Sequence, residues 1–304
     1  MNRLRTTRTS VLAAVIGLCL LLGSGTALAQ NPFEDAIKQL SSENVRGYIQ
    51  PFVNGFGANL STGLYHSASI SEVGLSIKFD IVGMGTIVGD AEKVYSAVAP
   101  APFDQTPVQT ATIFGGTGSV VSHPSGINYQ FQNGQVKASF IPLAVPQLTV
   151  GNFYGTQGVL RYAPLPSVGD FPKVTLFGIG ARHSISRYLP TVPVDLAVTA
   201  FYQTFDIGEI MSAHAMSLGA QASKSFSVLT VYGGLQYESS SMDLSYTYTG
   251  PGATPNTKVG TSIDGQNNFR ATAGLGLNLV ILNLSADVNV GKVTVLSAAI
   301  GFGM

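Results

Sequence analysis

Three consecutive stretches near the C-terminus, FRATAGLGLNL (269–279), LNLSADVNV (282–290) and VTVLSAAIGF (293–302), alternate apolar with small or polar residues at a period of two. Successive side chains of an extended strand point to opposite faces. Phe269, Ala271, Ala273, Leu275 and Leu277 therefore share one face, and Arg270, Thr272, Gly274, Gly276 and Asn278 share the other. The second stretch sets Leu282, Leu284, Ala286, Val288 and Val290 against Asn283, Ser285, Asp287 and Asn289. An apolar outside and a polar, glycine-bearing inside, in segments of about ten residues, is what a lipid-facing barrel requires. A water-soluble barrel requires the reverse. The expected fold is all-β, an antiparallel transmembrane β-barrel.

The N-terminus carries a matching export signal. Arg3, Arg5 and Arg8 precede an apolar run over 11–22, and Ala27-Leu28-Ala29 offers a small-x-small cleavage site. Residues 1–29 read as a signal peptide cleaved before Gln30, with the bacterial outer membrane as destination. A membrane anchor is the weaker reading, because the run is short and is followed by Gly23, Ser24 and Gly25. The only cysteine, Cys19, lies in this leader, and Leu18 stands where a lipoprotein signal needs a small residue. The mature chain is expected to carry neither a lipid anchor nor a cysteine.

Composition agrees with export. Charged residues are 11% of the 304, against about 25% in ordinary soluble domains, yet beyond the leader no apolar run reaches the length of a spanning helix. The 35 glycines suit turns and small lumen positions. Acidic and basic residues balance at 16 each, so the chain becomes slightly acidic once the three leader arginines are removed. Nothing here recommends nucleic acid as a partner.

The mature chain divides into residues 30–50, an N-terminal helical segment, and 51–304, the barrel. Phe33, Ile37, Leu40, Val45 and Ile49 recur at helical spacing, with Glu34 and Asp35 in the first turn and Pro51 as a stop. Such a segment serves either as a plug in the lumen or as a cap on the rim. Beyond it, at about 16–20 residues per strand and connection, the barrel should hold about 12–14 strands, an even number being favoured. Asn133-Gly134 is the best hairpin signal, joining 127–131 to 136–141 through a type I′ turn. Gly55-x-Gly57 and Gly115-Gly116-x-Gly118 read as turns. Residues 278–283 show no obvious turn residue between two clear strands.

Trp is absent, so Tyr188, Phe201, Tyr202, Phe205, Tyr237, Tyr246, Tyr248, Phe269 and Phe302 are the candidates for the interfacial girdle. Charges inside strands would cost about 2–4 kcal/mol facing lipid at mid-membrane and should point inward or sit near an interface. The lumen or plug candidates are Phe33, Ile37, Leu40, Arg161, Arg182, Arg187, Asp195, Arg270 and Asp287. Their blander role is a structural charge network that holds a narrow lumen together, and their sharper one a substrate path.

The chain has no Gly-x-Ser-x-Gly elbow, no phosphate-binding glycine loop and no His-Glu-x-x-His, and its four histidines lack ligand spacing. No catalytic residue, cofactor or metal is expected.

The segment SENVRGYIQP (42–51), with GFGAN (55–59), GLYHSA (63–68), PQLTVG (146–151), Gly155-Thr156, Arg161-Tyr162 and HSIS (183–186), resembles an uncharacterised bacterial family of outer-membrane barrels. That family has no assigned activity, so the resemblance implies a barrel across the mature chain and no catalytic residues. The plan of an N-terminal segment before many strands also resembles, more distantly, the outer-membrane long-chain fatty-acid transporters, although Asn31-Pro32-Phe33 departs from their Asn-Pro-Ala element. By that analogy the leading expectation is a porin-like passive channel or transporter for small hydrophobic molecules. The alternatives are a non-transport barrel that scaffolds or shuttles surface or secreted proteins, and a lipid-modifying enzyme. The expected partners are outer-membrane lipid, the barrel-assembly machinery and a hydrophobic small-molecule cargo.

Overall fold

The structure, a computed structural model, describes residues 42–167, 172–189, 191–247 and 258–303. Among the described residues one α-helix, α1 (Ser42–Leu60), precedes β1 (Ser76–Ile87). Four short strands follow, β2 (Val94–Ala97), β3 (Val108–Ala111), β4 (Val120–Ser122) and β5 (Asn128–Gln130). The wall then continues through β6 (Phe140–Phe153), β7 (Thr156–Leu165), β8 (Val174–Ser184), β9 (Asp195–Ile207), β10 (Met211–Phe226) and β11 (Leu229–Thr247). Last come β12 (Lys258–Asp264), β13 (Phe269–Leu279), β14 (Leu282–Val290) and β15 (Thr294–Gly303).

The sheet closes on itself. Antiparallel pairing runs β1-β6-β7-β8-β9-β10-β11-β13-β14-β15, and β15 returns to β1 from Lys78↔Gly303 to Thr86↔Val295. Ten strands therefore make the barrel, fewer than the 12–14 expected. The average spacing failed for two reasons. β10 and β11 run for 16 and 19 residues, longer than a bilayer needs, and residues 88–139 form two small hairpins, β2-β3 and β4-β5, outside the wall. β12 pairs with the far end of β11, above β13, and raises the wall on that side.

The two faces are as the period-two pattern requires. Leu235 is 70% exposed and Phe269 73%, while Leu275, Leu284, Val288, Leu296 and Ile300 also stand on the outside. Gln147, Thr149, Arg161, Gln203, Glu238, Arg270, Asp287 and Ser297 are buried within. Tyr188, Tyr202, Tyr237 and Phe302 are exposed as a girdle should be, but Phe201 is buried inside and Phe205 packs edge-on to Phe56 of α1. Both lie on inward positions of β9, a face that closeness to a strand end does not specify.

The barrel has two unlike ends. At one lie the start of β1, the end of β15, residues 185–194 and three two-residue turns, at 154–155, 227–228 and 280–281. At the other lie the long connection 88–139 and the β11-β12 extension. The turn hidden in 278–283 is Val280-Ile281, which closes Leu279↔Leu282 with Val280 at φ 62°. A β-branched residue there costs about 1–2 kcal/mol, so Val280→Gly should stabilise the barrel by up to about 1 kcal/mol after glycine's larger unfolded-chain entropy. A denaturation midpoint in detergent that fails to rise would show that this turn is unstrained.

Asn133-Gly134 makes no hairpin. β5 pairs with β4, and Asn133 instead accepts hydrogen bonds from the Tyr48 hydroxyl at its carbonyl (2.8 Å) and from the Gly118 N–H at its side chain (2.8 Å). Its turn chemistry is spent on fastening the 88–139 cap to α1. Gly115 closes a turn by donating its N–H to the Thr112 carbonyl, and Gly116 follows in a bend.

Candidate functional site

The lumen is occupied by the chain's own N-terminal segment. α1 does not stop at Pro51; it runs on to Leu60, with Gly55 and Gly57 inside it rather than in a turn. Glycine costs about 1 kcal/mol and proline about 3 in a helix interior, so local propensity opposes this helix. Confinement explains it. A Cβ at Gly47 would meet the Tyr95 ring, one at Gly55 would meet Ile141 and Thr86, and one at Gly57 would meet Ser240. These neighbours come from the cap and from opposite parts of the wall, so the helix is enclosed on several sides. Every residue from 52 to 65 is buried.

The apolar part of this packing lies toward the long-connection end. Val45, Tyr48, Ile49, Phe52, Val53, Phe56 and Leu60 form one cluster with Val82, Met84, Ile113, Phe114, Ile141, Leu176, Met242 and Leu244. Phe52 stacks on Phe56 at 5.6 Å and meets Phe114 of the cap at 6.4 Å. The cap is also tied to the helix backbone, since Ile113 N–H donates to the Tyr48 carbonyl and the Asn44 side-chain amide donates to that of Val98.

Below the helix, wall arginines hold the segment through its carbonyls. α1 has no basic residue in its last turn, although the carbonyls at a helix C-terminus need donors and favour positive charge. Arg270 donates to the Ala58 carbonyl at 2.7 Å and to the Thr62 hydroxyl. Arg161, fully buried, donates to the carbonyls of Thr62 (2.8 Å), Gly63 (2.9 Å) and Leu60 (3.4 Å). Gln147 and Gln203 accept its remaining N–H groups, and Phe201 lies under its guanidinium. Gly63, at φ 67°, makes the turn that presents these carbonyls, with Val82 too close for a side chain. Lower still, Arg182 donates to the Ser67 carbonyl and to Gln157, while the Ala68 N–H donates to Ser223.

Carboxylates complete the network. Glu238 pairs with Arg270 at 2.9 Å and also accepts from Gln236 and Asn267, while Gln236 reaches the Ser61 carbonyl. Asp287 accepts from Tyr232 (2.7 Å) and Ser297 (2.5 Å), bracing β14 against β11 and β15. Asp80 pairs with Lys78 at 3.0 Å.

Of the residues singled out from sequence, Arg161, Arg182 and Arg270 thus converge on one segment, and Asp287 lies in the lumen wall. Arg187 and Asp195 lie at a rim of the barrel instead. Arg187 sits in a 3₁₀ turn (Ser186–Tyr188) at the short-turn end, 3.9 Å from Glu72 and donating to the Tyr154 carbonyl. Asp195 is the half-buried first residue of β9 at the same rim. Both are rim positions, where charge meets water. Phe33, Ile37 and Leu40 lie outside the described residues. Gln147, Gln203, Gln236 and Tyr232 were missed; their signal was an inward position in the period-two pattern, without a charge to mark it.

A second polar group lies on the outer wall toward the long-connection end. Ser212 and His214, two apart on β10, share the outward face with Tyr202 and Asp206 of β9 and Asp243 of β11. The Ser212 hydroxyl donates to Asp206 at 2.6 Å and lies 3.3 Å from His214 Nε2. His214 Nδ1 is 3.3 Å from the Tyr202 hydroxyl, and Asp243 is 3.8 Å from Nε2. Closer to mid-wall is an apolar groove of about 880 Å³, floored by Ala181, Ala200, Gly219, Ala220 and Ala271 and walled by Val198, Leu218, Leu235, Tyr237 and Phe269. The strand ladder beneath the groove is continuous, so it does not open into the lumen.

The chain belongs to the Family of unknown function (DUF6588), whose pattern matches residues 6–304. No curated protein matches it. Among solved structures it is similar to the translocator domain of autotransporter NalP from Neisseria meningitidis, at 13% identity and a TM-score of 0.30, covering 82% of this chain and 92% of that one. It is also similar to a triple-mutant porin of Rhodopseudomonas blastica, at 11% identity and TM-score 0.16, with 76% and 99% covered. A BenF-like porin from Pseudomonas fluorescens Pf-5 stands at 8% identity and TM-score 0.18, with 76% and 98% covered. These are distant likenesses to outer-membrane barrels, and no residue or activity is carried over from them.

Proposed function

We propose that this family member is an outer-membrane barrel that works as a sealed scaffold, holding its 88–139 cap and the start of α1 at the cell surface. The observation that carries this reading is the unbroken burial of residues 52–65, together with Arg161 and Arg270 of the wall bound to the backbone of that stretch and Arg182 bound to Ser67 just beyond it. A passive channel needs a continuous opening, and a hydrophobic cargo needs an apolar path. The outer groove gives such a molecule a resting place without a route inward.

Location is supported by the apolar exterior and the leader sequence. The mature protein should fractionate with outer-membrane barrels, migrate differently on a gel when heated, and depend on the barrel-assembly machinery for both. Function is tested in planar bilayers and in cells. The purified protein should show no steady conductance, and cells producing it should take up a hydrophobic dye no faster than cells without it. A variant lacking residues 42–66 should conduct once its heat-shifted migration shows that it has assembled. Steady conductance or faster dye entry in the intact protein would restore the channel for small hydrophobic molecules.

A second reading, lipid modification, is favoured by the Ser212-His214 pair above the groove. A hydroxyl 3.3 Å from an imidazole suits ester cleavage once it rotates its proton from Asp206 to His214 Nε2. Wild-type protein in mixed micelles should then release fatty acid from phospholipid, and Ser212→Ala and His214→Gln should abolish it. No release by the wild type ends this reading and leaves the scaffold untouched.

A further inference from the structure

We propose that the chain threads its barrel from the outer face inward, so that α1 begins outside the cell and the segment after it leaves at the periplasmic rim. The inference rests on the outer-membrane reading, and on the direction of one segment. Outer-membrane barrels keep short turns on the periplasmic side and long connections outside. Here the end with three two-residue turns, the start of β1 and the end of β15 is thereby periplasmic, and the end with residues 88–139 is external.

The segment passes from one end to the other without doubling back. Asn44 bonds to Val98 and Tyr48 to Asn133, both in the external cap. Gly55 and Asn59 bond to Thr86, next to the external end of β1. Thr62 and Gly63 meet Arg161 in the middle of β7. Ser67 and Ala68 meet Ser223 near the periplasmic end of β10, and Glu72 faces Arg187 in the rim turn. A plug reached from the periplasm would have to enter and leave at the same end. The described segment makes a single pass, and that pass already buries every residue from 52 to 65. Glu43 and Arg46, by contrast, are exposed at the outer mouth.

Single cysteines read this topology, because Cys19 in the leader is the only native one. Glu43→Cys and Val73→Cys, each shown to be assembled by its heat-shifted migration, are treated in cells with a bulky polyethylene glycol maleimide. Arg46→Cys repeats the outer position. Cysteines at 43 and 46 should be labelled in intact cells to the extent seen after lysis. The Val73→Cys variant, at a position 79% exposed at the other end, should be labelled only once the outer membrane is permeabilised. The reverse pattern, or protection of both ends in intact cells, would overturn the proposal. Conductance of the intact protein would overturn the sealed scaffold and leave this topology standing, so the two failures are distinguishable.

Discussion

Arg270→Met is expected to destabilise the assembled barrel by about 3–5 kcal/mol, toward the lower end of that range because Gln236 and Asn267 still donate to Glu238. The substitution leaves the Glu238 carboxylate buried without its cation and removes the donor that reaches the Ala58 carbonyl and the Thr62 hydroxyl. Methionine matches most of the volume, so the loss reads charge and hydrogen bonding rather than a cavity. The unfolding midpoint in detergent measures it. The double variant Arg270→Met, Glu238→Gln should recover a large part of the loss, since a neutral amide is far cheaper to bury than an unpaired carboxylate. If the double variant is as unstable as the single one, the pair is not the source of the stability.

Ala286→Arg is expected to cost about 2–4 kcal/mol, because Ala286 lies mid-strand on the outward face of β14, between Leu275 and Ala298 of its neighbours. Val290→Arg, also outward but at the end of the same strand, should cost only about 0–1 kcal/mol. The comparison uses depth as the variable, since both sites are exposed and neither touches the lumen network. Refolding into lipid vesicles with a denaturant titration gives both values. Equal costs at the two sites would mean that the apolar outer face is not in a bilayer, and the membrane assignment would fall.

The three arginines show where reading the sequence stops. Their placement within strands, opposite apolar neighbours, was enough to turn Arg161, Arg182 and Arg270 inward. Their partners are backbone carbonyls between Ala58 and Ser67, about a hundred residues or more away in the chain, and a carbonyl has no residue type to recognise. The same loss affects Arg187, in the turn between β8 and β9, and Asp195, at the start of β9. Only the register of pairing places a residue near a rim or at mid-depth.

What the sequence by itself determined was the face of each strand. The pleat sends alternate side chains to lipid and lumen, so apolar and polar residues must alternate wherever the wall is immersed, and Phe269 to Val290 display this directly. Strand number escaped because length beyond the bilayer carries no separate pattern, as in β11, and because the cap consumes residues that averaging assigned to the wall. Tertiary structure alone decided the helix through Pro51 and the three glycines beside it. An isolated segment of that composition would favour a break, but inside a ten-stranded wall the helix fits with glycine at its closest approaches to its neighbours. Enclosure on several sides, with Arg161 and Arg270 supplying the missing C-terminal donors, outweighs the local preference.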